Sequence, residues 1–253
     1  MTTIDLNSDM GEYDSAEFLA REAQLMPLIT SVNIACGVHA GNTDLVRRTA
    51  RLAVQYGTAI GAHPGFPYAR DFGRQDRQIS PDEVASLVTM QLRTLADVLV
   101  LDHLTLTHVK PHGALYHLAA RDRAAADAVA QAVAEFDRRL LLFALAGSAL
   151  VTQGRAAGLA VVQEAFADRT YRSDGTLVPR SEPGALLQTG PAVAHQLRGI
   201  LKGYVIGIDG QRIFLDVDSL CIHTDTPHAV EFVRLVRGEI ESAGVHIARP
   251  RET

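Results

Sequence analysis

The 253-residue chain is 47% hydrophobic and 21% charged with a net charge of −5, a composition that fits a soluble globular protein able to bury a sizeable core. The acidic balance argues against general nucleic-acid affinity, which needs a clustered basic surface, and no window approaches the roughly eighteen apolar residues of a membrane span. The opening MTTIDLNSDMGE lacks the basic start and apolar stretch of a signal peptide, so a cytoplasmic location is expected.

Along the chain, short apolar runs alternate with longer helical patterns. TIDLN (3–7) and SVNIAC (31–36) read as the first two strands. TDLVRRTARLAVQYG (43–57) reads as a helix with Thr43 as N-cap and Gly57 as its stop. A third strand, TAIGAH (58–63), precedes SPDEVASLVTMQLRTLADVL, where Ser80, Pro81 and Glu83 match a capping box with proline at the first helical position. LTLTHV (104–109) is the fourth strand, and the alanine-rich DRAAADAVAQAVAEFD (122–137) is an amphipathic helix. LLLFAL (140–145) and LAVVQEAF (159–166) are the fifth and sixth strands. GYVIGIDGQRIFLDVD breaks the rhythm, because Asp209-Gly210 between apolar residues marks a β-hairpin around 203–217. SLCIHTD (219–225) is the seventh strand, followed by a helix opening at Thr226-Pro227 and stopping at Gly244.

Strands of continuous apolar character, separated by helices, predict a parallel sheet covered on both faces. Seven of them favour an α/β fold closed as a distorted seven-stranded (β/α) barrel over residues 1–253 as one domain. Cys36 and Cys221 are too far apart and too few for a disulfide framework or a thiolate zinc site, and their apolar neighbours suggest inert buried thiols.

In such barrels the loops after the strands' C-terminal ends form the active site. Here polar residues stand at those ends: Asn7, Asp9 and Glu12; Asn33, His39 and Asn42; His63; His108, Lys110 and His112; Glu164, Asp168 and Arg169; His223 and Asp225. Lysine is rare in this chain, with only Lys110 and Lys202 against twenty-two arginines. Placing one of the two in HVKPHGALY therefore suggests a compact ammonium used for chemistry rather than for surface charge. His103, His117, His195, His228 and His246 lack such company and read as surface or packing residues.

DLNSDMGE (5–12), NIACGVHAGN (33–42), GAHPGFP (61–67), HVKPHGALY (108–116), EAFADRTY (164–171), DGTLVPRS (174–181) and DSLCIHTD (218–225), in that order, resemble the LamB/YcsF family. The chain departs from the family pattern at Asn42 and Tyr68, where an aspartate is usual. The resemblance implies a barrel similar to the glycoside hydrolase/deacetylase superfamily. It also implies a part in ATP-dependent cleavage of 5-oxo-L-proline to L-glutamate, in company with subunits B and C.

On that reading Lys110, His112, Asp9 and Glu164 are the catalytic candidates, with Lys110 beside the lactam or the transferred phosphoryl oxygens and His112 as the acid–base candidate, Asp9 or Glu164 being the alternatives. Asn7, Glu12, Asn33, His108, Arg169, Arg180 and His223 are candidates for binding substrate or phosphate. ATP is expected with Mg²⁺. The chain contains no G-x-x-x-x-G-K-[ST] run, so the nucleotide occupies either a family-specific pocket or one shared with the partner subunits. Asp9, His39 and His63 also match the ligand set of metal-dependent deacetylases on a similar fold, which suggests Zn²⁺ or another divalent ion. Two rival functions follow: an ATP-independent metallohydrolase of amides or acylated sugars, and a non-catalytic lactam-binding subunit.

Overall fold

The computed structural model describes residues 2–67, 71–223 and 228–250. Its frame is β1 (Thr3–Met10), β2 (Ser31–Ala35), β3 (Ala59–His63), β4 (His108–Val109), β5 (Leu141–Leu145), β6 (Val161–Phe166) and β9 (Ser219–Cys221). All seven run parallel in that order, and β9 pairs with both β6 and β1, which closes the ring. The seven-stranded barrel expected from the apolar runs is therefore present. One strand lies outside the expected set: β10 (His246–Ile247) adds to β1 from outside, pairing at Thr3 and Ile4.

Helices α1 (Ala16–Leu25), α2 (Thr43–Tyr56), α3 (Pro81–Val100), α4 (Gly113–Arg121), α5 (Arg123–Phe136), α6 (Ala149–Ala156), α7 (Gly190–Ile200) and α8 (Ala229–Ser242) supply the surrounding layer. The expected capping box at Ser80 is formed. The cap of α2 is shifted by one residue. Asn42, not Thr43, accepts the Leu45 amide, so the polar side chain of Asn42 is spent on holding a helix start. Gly57 stops the same helix in the left-handed region, at φ 68°. The expected start of the last helix, Thr226-Pro227, lies outside the described residues, as do Tyr68 and Asp225.

Strands β7 (Tyr204–Ile206) and β8 (Arg212–Phe214) pair antiparallel as a hairpin, with Asp209 and Gly210 at its turn. Tyr171 bridges to this hairpin at Gly207 and to Leu177. The hairpin thus braces the loop after β6, which borders the barrel mouth. Among the described residues no helix is long and apolar enough to cross a membrane.

The inside of the barrel is largely polar on one side, an arrangement the apolar runs do not announce. Alternate residues of β1 point inward, so Asp5, Asn7 and Asp9 form a column. Asp5 accepts hydrogen bonds from Thr30, Ser31 and Ser219. Opposite it, Leu141, Phe143 and Val162 make a small apolar plug. On β3, Gly61 makes room for a neighbour: a Cβ there would collide with the ring of His108.

Candidate active site

Lys110 follows β4, and its side chain is 2% exposed. Its ammonium lies 2.9 Å from Glu164 Oε1, and 3.1 Å from each of Asp9 Oδ1, Asn7 Oδ1 and Cys221 Sγ. Burial works against this charge, yet Asp9 and Glu164 more than offset it and hold the lysine well above its ordinary pKa. Asp9 is held well below the usual carboxylate range for the reciprocal reason: desolvation is outweighed by His63 and Lys110.

Beneath this ammonium the asparagines form a fixed lattice. Asn7 Nδ2 donates to Glu164 at 2.7 Å and to Ser219 at 2.8 Å. Asn33 Nδ2 donates to Asn7 Oδ1 and Asp9 Oδ1, both at 2.8 Å, while its carbonyl faces His108 Nε2 at 2.9 Å. Burial, and then Lys110, lower His108 to a pKa of about 3, so its ring is neutral. Asn7, Asn33, His108 and Glu164 therefore stand under the floor of the site and orient what faces the ligand.

Above the floor opens a cavity of about 750 Å³ lined by Asp9, Glu12, His63, Lys110, His112 and His223, among others. Arg74, Arg121, Arg169, Arg172 and Arg180 line its walls. Burial, with Arg180 next in weight, brings Arg169 down to about 10. Its guanidinium is fixed by donation to the carbonyls of Val178 at 2.6 Å and Ala185 at 3.3 Å. These five arginines share the walls with Asp71, Asp76 and Asp174, and Arg169 beside Arg180 is the pair suited to an anionic group.

His223 Nδ1 lies 2.9 Å from Asp168 Oδ2, and its ring stacks on Phe166 with centroids 5.5 Å apart. Burial tends to raise Asp168, but the neighbouring His223 draws it below its usual value. A carboxylate that fixes one ring nitrogen of a cavity-lining imidazole is the arrangement of a general base.

His39, His63 and His112 form an imidazole cluster. His39 and His112 stack face to face at 3.9 Å, and His63 meets both edge-on. Burial, then His63, depresses His39 to about 3; burial, then His39 and His63, pushes His112 well below its ordinary value. Asp9 Oδ2 is 3.3 Å from His63 Nε2, whereas His39 Nε2 has Glu12 Oε1 at 3.7 Å.

Three residues outside the sequence-derived set belong to the site. Tyr116 donates from its hydroxyl to Glu164 Oε2 at 2.9 Å and lines the cavity. It stands four residues after His112, and that helical spacing is the signal the sequence offers for it. Cys221 meets the Lys110 ammonium instead of purely apolar neighbours; its alternation with Ser219 and His223 puts the three on one strand face. His117, expected only to pack or face solvent, also lines the cavity.

A family model described as LamB/YcsF matches residues 4–253. The chain belongs to the LamB/YcsF family. A relative from Symbiobacterium thermophilum, named as the A subunit of 5-oxoprolinase, is 48% identical over 98% of this chain and 95% of its own length. The crystal structure of the lactam utilization protein from Thermus thermophilus, at 42% identity, superposes with a TM-score of 0.87 over 98% of this chain and 99% of that one. At 10% identity, the Xyl-CE4 domain of a multidomain xylanase from the hindgut metagenome of Trinervitermes trinervoides shares the fold, with a TM-score of 0.51 over 98% of this chain and 86% of that one.

Proposed function

We propose that this chain is the lactam-binding subunit of an ATP-dependent 5-oxoprolinase, working with subunits B and C to convert 5-oxo-L-proline to L-glutamate. The observation that carries the reading is the buried Lys110 ammonium, clamped between Asp9 and Glu164 at the floor of an arginine-walled cavity. Full-length relatives named as the A subunit of 5-oxoprolinase support it.

The lactam is a stabilised amide that water attacks poorly. Transfer of a phosphoryl group from ATP to its carbonyl oxygen makes the ring carbon electrophilic. Water then adds, and the C–N bond breaks as the nitrogen takes up a proton. A second water hydrolyses the resulting acyl phosphate, so ATP and two waters give glutamate, ADP and phosphate. Such a sequence needs cations against phosphoryl and carboxylate oxygens, a base for water and a donor for nitrogen.

Lys110 meets the lactam carbonyl or the phosphoryl oxygens as a point charge. Arg169 and Arg180 meet the substrate carboxylate or the phosphate. Proton transfer falls to His223, because Asp168 fixes its ring on the cavity wall, whereas His112 directs Nε2 at the Phe72 carbonyl and Nδ1 at His63. Glu164 acts beneath Lys110, and reaches the cavity only through Lys110 and Tyr116. ATP brings Mg²⁺, held by its own phosphates and carboxylates. Replacing His223 by Gln should cut glutamate formation by the assembled enzyme at least a hundredfold with 5-oxoproline binding retained; full turnover would remove His223 from this role.

A further inference from the structure

His63 and His112 face each other with His63 Nε2 2.9 Å from His112 Nδ1. The other nitrogen of each ring is committed to a backbone carbonyl: His63 Nδ1 to Lys110 O at 2.7 Å, and His112 Nε2 to Phe72 O at 2.8 Å. A carbonyl only accepts, so both of those nitrogens carry the hydrogens. In neutral rings the two facing nitrogens are then both lone pairs, directed at the same point. Such a contact repels unless a cation or an extra proton lies between them.

A carboxylate stands at the same point. Glu12 Oε1 is 3.7 Å from His112 Nδ1, and one ligand atom each from Glu12, His63 and His112 falls within 4.8 Å of the others. Surrounding residues keep the rings in place. A Cβ on Gly65 would press on His39 Nδ1 at 2.9 Å and on the His112 side chain at 3.1 Å, so glycine there leaves room for the stacked pair. Phe72, whose carbonyl orients His112, sits at φ 56°, a strained position for a non-glycine residue. Both ring nitrogens of His39 lack a hydrogen bond among the described residues, which leaves a further donor beside the site.

From this geometry we infer that Glu12, His63 and His112 hold a zinc-class divalent cation, in place of the Asp9–His39–His63 set suggested by the sequence. Two imidazoles and one carboxylate select a borderline transition-metal ion over Mg²⁺, which prefers oxygen ligands, so this ion is distinct from the one carried by ATP. Bound there, it would act as a Lewis acid and lower the pKa of a coordinated water. Asp9 joins the two charged parts of the site, with Oδ1 on Lys110 and Oδ2 on His63. The assignment deepens the 5-oxoprolinase reading, but it is testable on the isolated chain without nucleotide, lactam or partner subunits. Its failure would leave that reading standing.

The test is metal loading of chelator-treated full-length protein with Zn²⁺ or Co²⁺, read by metal analysis after gel filtration and by X-ray absorption. The expected result is one ion per chain, with a nitrogen/oxygen shell at about 2.0–2.1 Å and imidazole scattering from two rings. His63→Ala and His112→Ala should each lower retained metal at least tenfold. The X-ray measurement on the unaltered chain decides the matter if those variants fold poorly. A sulfur shell at about 2.3 Å would move the ion to the alternative group of Asp9, Cys221 and His223 and overturn the assignment. No retained metal, or undiminished retention in the variants, would overturn it equally and leave a shared proton between the rings.

Discussion

The Lys110 ammonium and the Glu164 carboxylate, 2.9 Å apart and both shut away from solvent, form an ion pair that joins β4 to β6 across the barrel interior. Breaking such a pair from one side leaves a buried charge unpaired and costs about 3–5 kcal/mol, more than the pair itself contributes. Lys110→Met should therefore destabilise the protein strongly. The double variant Lys110→Met/Glu164→Gln should recover part of that loss. Denaturant unfolding of the two single variants and the double variant checks this; strict additivity would mean the two groups are not coupled.

Lys110→Arg should keep the positive charge and lose turnover. The ammonium sits among four acceptors at 2.9–3.1 Å, a pocket fitted to a compact cation, and the planar guanidinium fork cannot reproduce those contacts. Wild-type rates in the assembled enzyme would end the point-charge role of Lys110.

Tyr116→Phe removes the hydroxyl donor to Glu164 and leaves Glu164 Oε2 without that hydrogen bond in the interior. Hydrogen bonds to charged groups contribute about 1.5–3 kcal/mol, so turnover should fall about tenfold to a hundredfold if Glu164 holds Lys110 in register. Steady-state kinetics should show the loss in kcat rather than in KM.

Gly61→Ala should be poorly tolerated, because the added methyl meets the ring of His108, which is itself tied to Asn33. Overpacking of this kind costs about 1–3 kcal/mol. Gly238→Ala, on α8 with open space around the new methyl, should instead stabilise by up to about 1 kcal/mol. Melting temperatures of the two variants should shift in opposite directions.

Asp5 gives a pH signature. Burial raises its pKa from 3.8 to about 6, against the hydrogen bonds from Ser219, Ser31 and Thr30 that lower it. A carboxyl that ionises less readily in the folded state stabilises the fold at low pH, and that contribution is lost as pH rises from about 4 to about 6. Stability of the native protein relative to Asp5→Asn should fall across that window by about 3 kcal/mol and stay flat above it. Parallel pH profiles for the two proteins would contradict this.

The sequence makes the barrel and much of its mouth legible for a physical reason. Strands covered on both faces are forced into apolar runs, and loop chemistry then stands out at their ends, as at His63, Lys110 and His223. The polar interior is harder to see. Asn7 and Asn33 stand out as polar residues and read as strand ends, yet they lie inside β1 and β2; Asp5 goes unmarked, and only the closed ring shows the three to share one lattice with Glu164 and Ser219. Cys221 reads as inert because its chain neighbours are apolar, while the ammonium beside it comes from more than a hundred residues away. His108 and Lys110 both project into the barrel, yet the clearance at Gly61 seats His108 below the floor. The pairing of His63 with His112 depends on the Phe72 carbonyl, a loop position that carries no recognisable signal.

The most direct measurement is glutamate formation from 5-oxo-L-proline and ATP by this chain together with subunits B and C, with each component omitted in turn. The expected result is glutamate and ADP in equal amounts only when all are present, and loss of both with Lys110→Arg. Glutamate formed by the chain alone without ATP, or unchanged turnover when the chain is left out, would contradict the account.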